Sequence, residues 1–99
     1  MEAIITKEED RAAVQITGRL DTVTSEELKR KLAEADVSDC DLELDFTGVE
    51  YISSAGLRLL VALQKQAAAS GHKMAVKNIN RVVREIFKVA GFDKAITVI

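Results

Sequence analysis

Two apolar rhythms alternate along this chain, and the alternation restricts its fold more than any other feature. Around Val14 and Ile16, and again at Leu42, Leu44 and Phe46, apolar side chains recur at every second position. That is the period of a strand with one buried face. Leu28, Leu32 and Ala35 instead fall four and three residues apart. Leu57, Leu60, Val61 and Ala68 share one helical face, which Leu59, Leu63 and Ala67 widen, and Val82, Val83, Ile86, Phe87 and Ala90 form a third helical stripe. Short apolar runs at Ala3–Thr6, Lys73–Lys77 and Ala95–Ile99 complete the predicted order β-β-α-β-α-β-α-β. Such alternation predicts an α/β fold, a mixed and mostly parallel sheet of about five strands with helices packed against it. The first two strands, joined by the charged turn Lys7–Asp10, are predicted antiparallel.

Local chemistry marks the boundaries. Thr24-Ser25-Glu26-Glu27 has the form of a capping box and predicts a helix opening at Thr24. Ser54 is predicted to cap the second helix and Gly71 to stop it; Asn80 caps the third and Gly91 ends it. Residues 47–53 are predicted to be a loop. With 99 residues and no repeat, linker or low-complexity tract, residues 1–99 are expected to form one domain.

Composition removes several function classes. Lys plus Arg number 14 and Asp plus Glu 16, a formal net charge of -2, which gives no electrostatic case for direct DNA binding. The longest mostly apolar stretch, Leu57 to Leu63, contains Arg58 and is far too short for membrane insertion. The N-terminal residues show no basic start followed by an apolar segment. Cys40 is the sole cysteine, so no internal disulfide forms, and a cytoplasmic location is expected.

The carboxyl ends of strands gather ligand and partner sites in open α/β sheets. Two segments there carry polar residues to spare: Gly18-Arg19-Leu20-Asp21-Thr22, and Asp45 through Leu57. The right-handed crossover places both at one end of the sheet, so Asp21, Asp45, Ser53 and Ser54 are candidates for a shared surface. No cofactor is implied. Gly18 and Gly56 stand alone, without a phosphate-cradling glycine loop. An Asp21/Asp45 metal pair lacks a third ligand at a characteristic spacing. His72 has no acidic or cysteine companion in the local sequence and is predicted at the pole opposite Ser54, which disfavours a Ser–His–Asp triad. The chain is read as a binding module and not an enzyme.

Three segments in order and spacing, Gly18-Arg19-Leu20-Asp21, Tyr51-Ile52-Ser53-Ser54-Ala55-Gly56-Leu57 and Gly91-Phe92-Asp93-Lys94, resemble the STAS domain family. The likeness is narrower to the bacterial anti-sigma factor antagonists and covers essentially the whole chain. It implies a partner-switching protein that binds an anti-sigma factor, itself a serine kinase, and thereby frees a sigma factor to direct transcription. Phosphorylation of a serine at the head of the second helix abolishes binding, and a serine phosphatase restores it. Carried over by position, that serine is Ser54. The family often has an acidic residue where this chain has Ser53, which makes Ser53 the alternative acceptor. Asp21, Ser53, Ser54, Gly56 and Arg58 are the implied partner-binding residues. A second role known for related single domains is that of an accessory subunit on the ATPase of a lipid ABC transporter.

Overall fold

The computed structural model describes residues 1–99. Its first two strands, β1 (Glu2–Glu8) and β2 (Arg11–Leu20), close on the two-residue turn Glu9-Asp10. Glu8 pairs with Arg11, and Glu9 takes left-handed backbone at φ 51°. There follow α1 (Thr22–Ala35), β3 (Asp41–Ile52), α2 (Ser54–Ala69), β4 (Met74–Lys77) and α3 (Arg81–Ala90). The strands lie in the order β1-β2-β3-β4, antiparallel at the hairpin and parallel at the two later pairings.

The period-two positions of the strands share one face. Ala12, Val14, Ile16 and Leu20 of β2, Leu42, Leu44 and Phe46 of β3, and Met74 and Val76 of β4 are all buried in one core. α1 adds Leu28 and Leu32, α2 adds Leu57, Leu59, Leu60, Leu63 and Ala67, and α3 adds Val83 and Phe87. The three helices therefore cover one side of the sheet. The other side stays open, with Arg11, Ala13, Gln15, Thr17 and Glu43 exposed. Cys40, one residue before β3, is 2% exposed and belongs to the core.

Four corrections follow from the backbone. The predicted loop at residues 47–53 is strand as far as Ile52. Gln15 pairs with Asp45 but Thr17 with Gly48, and Gly18 pairs with Val49 but Arg19 with Tyr51, so β3 carries an extra residue at each of two bulges. Each bulge stretches the inward spacing from two residues to three, which is why Phe46, Val49 and Ile52 are all buried. That period hides a strand from a search for alternation.

The predicted fifth strand at Ala95–Ile99 shrinks to one parallel bridge between Val76 and Val98. β4 is only four residues long, so its free edge offers little more than Val76, whose N–H donates to Thr97 O at 2.9 Å. α1 begins at Thr22 and not at Thr24: Asp21 is the N-cap, and Thr24, the third residue of the helix, is its partner in the capping box. Finally, Ser53 and not Ser54 caps α2. Asn80 and Gly91 bound α3 as the sequence predicts, Asn80 accepting from Val83 N–H and Gly91 adopting φ 76°. Ala68 faces outward, and Ala67 takes its place in the core.

Candidate functional site

The ends of β2 and β3 meet side by side. Leu20 pairs with Ile52, and the Ser53 N–H donates to Leu20 O at 2.7 Å. This bond brings the Gly18–Thr22 turn against the head of α2, so Asp21, Ser53 and Ser54 lie at one end of the sheet, as the crossover rule predicts.

Each serine has a different duty there. Ser53 is extended at φ -90° and ψ 176°, half-buried, and its Oγ accepts from the Gly56 N–H at 3.4 Å. Ser54 is the first helical residue and its side chain is exposed. The N–H groups of this first turn and the helix dipole favour an anion beside it. Gly56 sits one turn in and is buried. A Cβ there would lie 2.6 Å from Ile52 Cγ1 and 3.2 Å from Leu20 Cβ. Gly56 therefore lets the head of α2 press against both strand ends. Arg58 is exposed on the next turn.

Asp21 is a cap before it is anything else. Its Oδ1 accepts from the N–H of Val23 at 3.1 Å and of Thr24 at 3.0 Å. In return the Thr24 Oγ1 accepts from the Asp21 N–H and donates to Arg19 O. The Thr24 N–H, followed by its hydroxyl, holds the Asp21 carboxyl below the usual range.

One sequence candidate lands elsewhere. Asp45 does not join this surface: with β3 running on to Ile52, it sits mid-strand on the open face of the sheet. There it accepts from Thr47 N–H at 3.0 Å, from Thr47 Oγ1 at 2.6 Å and from Asn78 Nδ2 at 3.1 Å. These bonds, the Thr47 hydroxyl first, lower its pKa and give it a structural role at the bulge. His72 lies at the opposite pole as predicted, but it is not without partners. Its Nδ1 is 3.0 Å from Asp41 Oδ1 and its Nε2 3.1 Å from Asp39 Oδ1. Both ring nitrogens are thus turned to carboxylates, and no group of three ligands converges on a metal position.

Two features escape a reading along the chain. The Arg19 guanidinium lies 4.5 Å from the centroid of the Tyr51 ring, across the paired ends of β2 and β3. Beside that ring, a groove of about 340 Å³ opens between the head of α2 and α3, with Tyr51, Ser54, Leu57, Glu85, Ile86 and Val89 in its walls. The sequence signal for the groove was a surplus. α3 has more apolar residues than one buried stripe uses, and Val89 is 86% exposed; Val82, predicted in that stripe, is 53% exposed and does not line the groove.

Comparison with known proteins fits this geometry. Residues 5–99 match the family model described as Mlab, STAS domain. BtrV of Bordetella bronchiseptica, assigned as an anti-sigma factor antagonist, is 31% identical over 78 residues, 78% of this chain and 67% of its own. The anti-sigma-B factor antagonist of Bacillus subtilis is 23% identical over 94 residues, 95% of this chain and 86% of that one. Among solved structures, the anti-sigma factor antagonist SpoIIAA in its unphosphorylated form superposes with a TM-score of 0.81 at 16% identity, covering 99% of this chain and 88% of that chain. The structural likeness speaks to the fold. No helix is long and apolar enough to cross a membrane.

Proposed function

This chain belongs to the STAS domain family, and on that premise we propose that it is an anti-sigma factor antagonist switched off by phosphorylation of Ser54. The partner is an anti-sigma factor that is also a serine kinase; a serine phosphatase restores the active form. The chain acts by binding in the cytoplasm and not by turnover. One observation carries the reading: an exposed serine opens α2 beside the Gly18–Asp21 turn, while its neighbour Ser53 is already committed to capping. Ser54 is thus the acceptor, and Ser53 the residue that holds it in place. Asp21 and Arg58 flank the docking surface, and buried Gly56 shapes it from beneath.

The energetics of the switch follow from position. A phosphoserine carries about -1.5 to -2 charge at neutral pH. At a helix N-terminus that charge is stabilised by roughly 0.3–1 kcal/mol, and the fold is kept. In a docked interface the same charge is desolvated without a partner, at a cost of about 3–5 kcal/mol. At ~1.4 kcal/mol per decade, affinity falls by two to three orders of magnitude. A change of that size needs no large movement of the domain.

The test is capture of the chain's partner from native lysate, followed by ATP and mass spectrometry of the product. The expected result is a serine kinase that places one phosphate on Ser54, with no transfer to Ser54→Ala. A phosphate on Ser53 would move the acceptor. Constitutive capture of a transporter ATPase, unaffected by kinase, would contradict the switch and establish the accessory-subunit role.

A further inference from the structure

The only polar side chain among the buried residues is Ser25 of α1, 5% exposed, and its Oγ has no hydrogen-bond partner. A buried hydroxyl in that state keeps its full desolvation penalty with no bond to offset it. Ser25 lines a cleft of about 280 Å³ between α1 and α2. α1 also brings Glu26 and Lys29 to this cleft, and α2 brings Ala55, Arg58 and Ala62, one stripe from each helix. The small side chains of Ala55 and Ala62 leave the space between the helices unfilled. Glu26, Lys29 and Arg58 are exposed, and none of them is in an ion pair. Two free cations against one free carboxylate give the cleft a net positive wall. Lys29, Leu59 and Ala62 also line a second basin, of about 570 Å³, further along the same two helices. That basin is mostly aliphatic, with Leu32, Val37 and Leu63 in it. Leu59 and Leu63, at 9% and 7%, are the most exposed members of the core, because one side of each faces this trough. A charged head and an aliphatic trough therefore run end to end.

We propose that the cleft between α1 and α2 binds an aliphatic monocarboxylate, its carboxylate accepting from Ser25 Oγ beside Arg58 and Lys29 and its chain lying along Leu59 and Leu63. A carboxylate is the acceptor that the orphan hydroxyl lacks, and it pairs with the two free cations. Its single charge matches the net charge of the wall, whereas a phosphate monoester brings about -1.5 to -2 against Glu26. The first turns of both helices, at Thr22 and Ala55, add partial positive charge at the same end. Ser54 does not line this cleft. The site therefore adds a small-molecule ligand to the functional reading above without depending on it.

The experiment titrates octanoate into the purified chain by calorimetry and follows the backbone amides by NMR, with 1-octanol, acetate and inorganic phosphate as further probes. Octanoate is expected to bind saturably, to raise the melting temperature and to shift the amides of Ser25, Lys29, Arg58 and Leu63. 1-Octanol, which lacks the charge, and acetate, which lacks the chain, are each expected to bind about tenfold or more weakly. Arg58→Gln is expected to weaken octanoate binding by about tenfold or more. Ser25→Ala is expected to weaken it while the free chain melts at an equal or higher temperature, since the substitution deletes an unpaired hydroxyl. Glu26→Gln is expected to tighten it by about two- to fivefold. No saturable binding of octanoate, or 1-octanol bound as tightly, would overturn the proposal. Octanoate affinity unchanged in either Arg58→Gln or Ser25→Ala would overturn it too, as would inorganic phosphate producing the same amide shifts. The kinase takes no part in these measurements, so their failure leaves the switch at Ser54 standing, and the failure of that switch leaves the cleft to be decided by octanoate alone.

Discussion

At the scale of single residues, small changes in shape and proton count decide whether the site holds. Gly56 is the sharpest case, because a methyl group there would meet Ile52 Cγ1 at 2.6 Å in a filled core. Gly56→Ala gains up to ~1 kcal/mol of helix propensity but overpacks the junction of α2 with the strand ends. A net loss of about 1–2 kcal/mol is expected in urea unfolding; equal or higher stability would show that the junction has slack. His72 works at the other pole. Hydrogen bonds donated to Asp41, then to Asp39, raise its pKa above the ordinary value of 6.5, so protonated His72 favours the folded state. That contribution is complete below 6.5 and is lost as pH rises through the raised folded value. Asp41, lowered chiefly by the Lys73 N–H, contributes above its ordinary 3.8 and loses it as pH falls further. The wild-type urea midpoint should therefore decline as pH rises above the ordinary 6.5 and through the raised folded value, while His72→Gln should not show that decline. None of the His72 pairing is legible from its neighbours in sequence, because Asp41 and Asp39 stand 31 and 33 residues away, across β3 and α2.

At the scale of elements, the sequence shows each helix and most strands because period and caps agree. α3 illustrates this: Asn80 and Gly91 mark its ends, and both do so in the structure. Asn80 also ties the helix to the sheet, since its Nδ2 donates to Val49 O at 2.9 Å while its Oδ1 accepts from Val83 N–H at 2.8 Å. Asn80→Ala should cost about 1–2 kcal/mol, the cap plus a bond to β3. A loss under ~0.5 kcal/mol would mean that the cap alone is not limiting. The second half of β3 was hidden because two bulges replace alternation with a three-residue spacing from Phe46 to Ile52. Asp45 was misplaced for the same reason: a strand assumed to end at Phe46 puts its carboxylate at the site, whereas one that runs on to Ile52 leaves it mid-sheet. The caps of α1 and α2 lie upstream of the predicted Thr24 and Ser54, because Asp21 and Ser53 offer side-chain oxygens there.

At the scale of the whole molecule, the fold separates the candidate site from a structural pole. Parallel pairing of β2 with β3 sets the Gly18–Asp21 turn beside Ser53 and Ser54, while the Asp39–Asp41–His72 cluster fastens the far pole. The resemblance in sequence points to the candidate site because its motifs are local. It did not reach the α3 wall, which depends on how a helix sits against a strand far from it in the chain. Because the proposed acceptor lies at a helix N-terminus on the surface, a phosphate there is expected to act on docking and not on folding. The most direct measurement compares the phosphorylated chain with the unphosphorylated chain in two ways, by calorimetric titration with the kinase and by thermal unfolding. The account predicts affinity weaker by two to three orders of magnitude with a melting temperature equal or slightly higher. Equal affinity for the kinase, or a collapse in melting temperature that accounts for the lost binding, would contradict it.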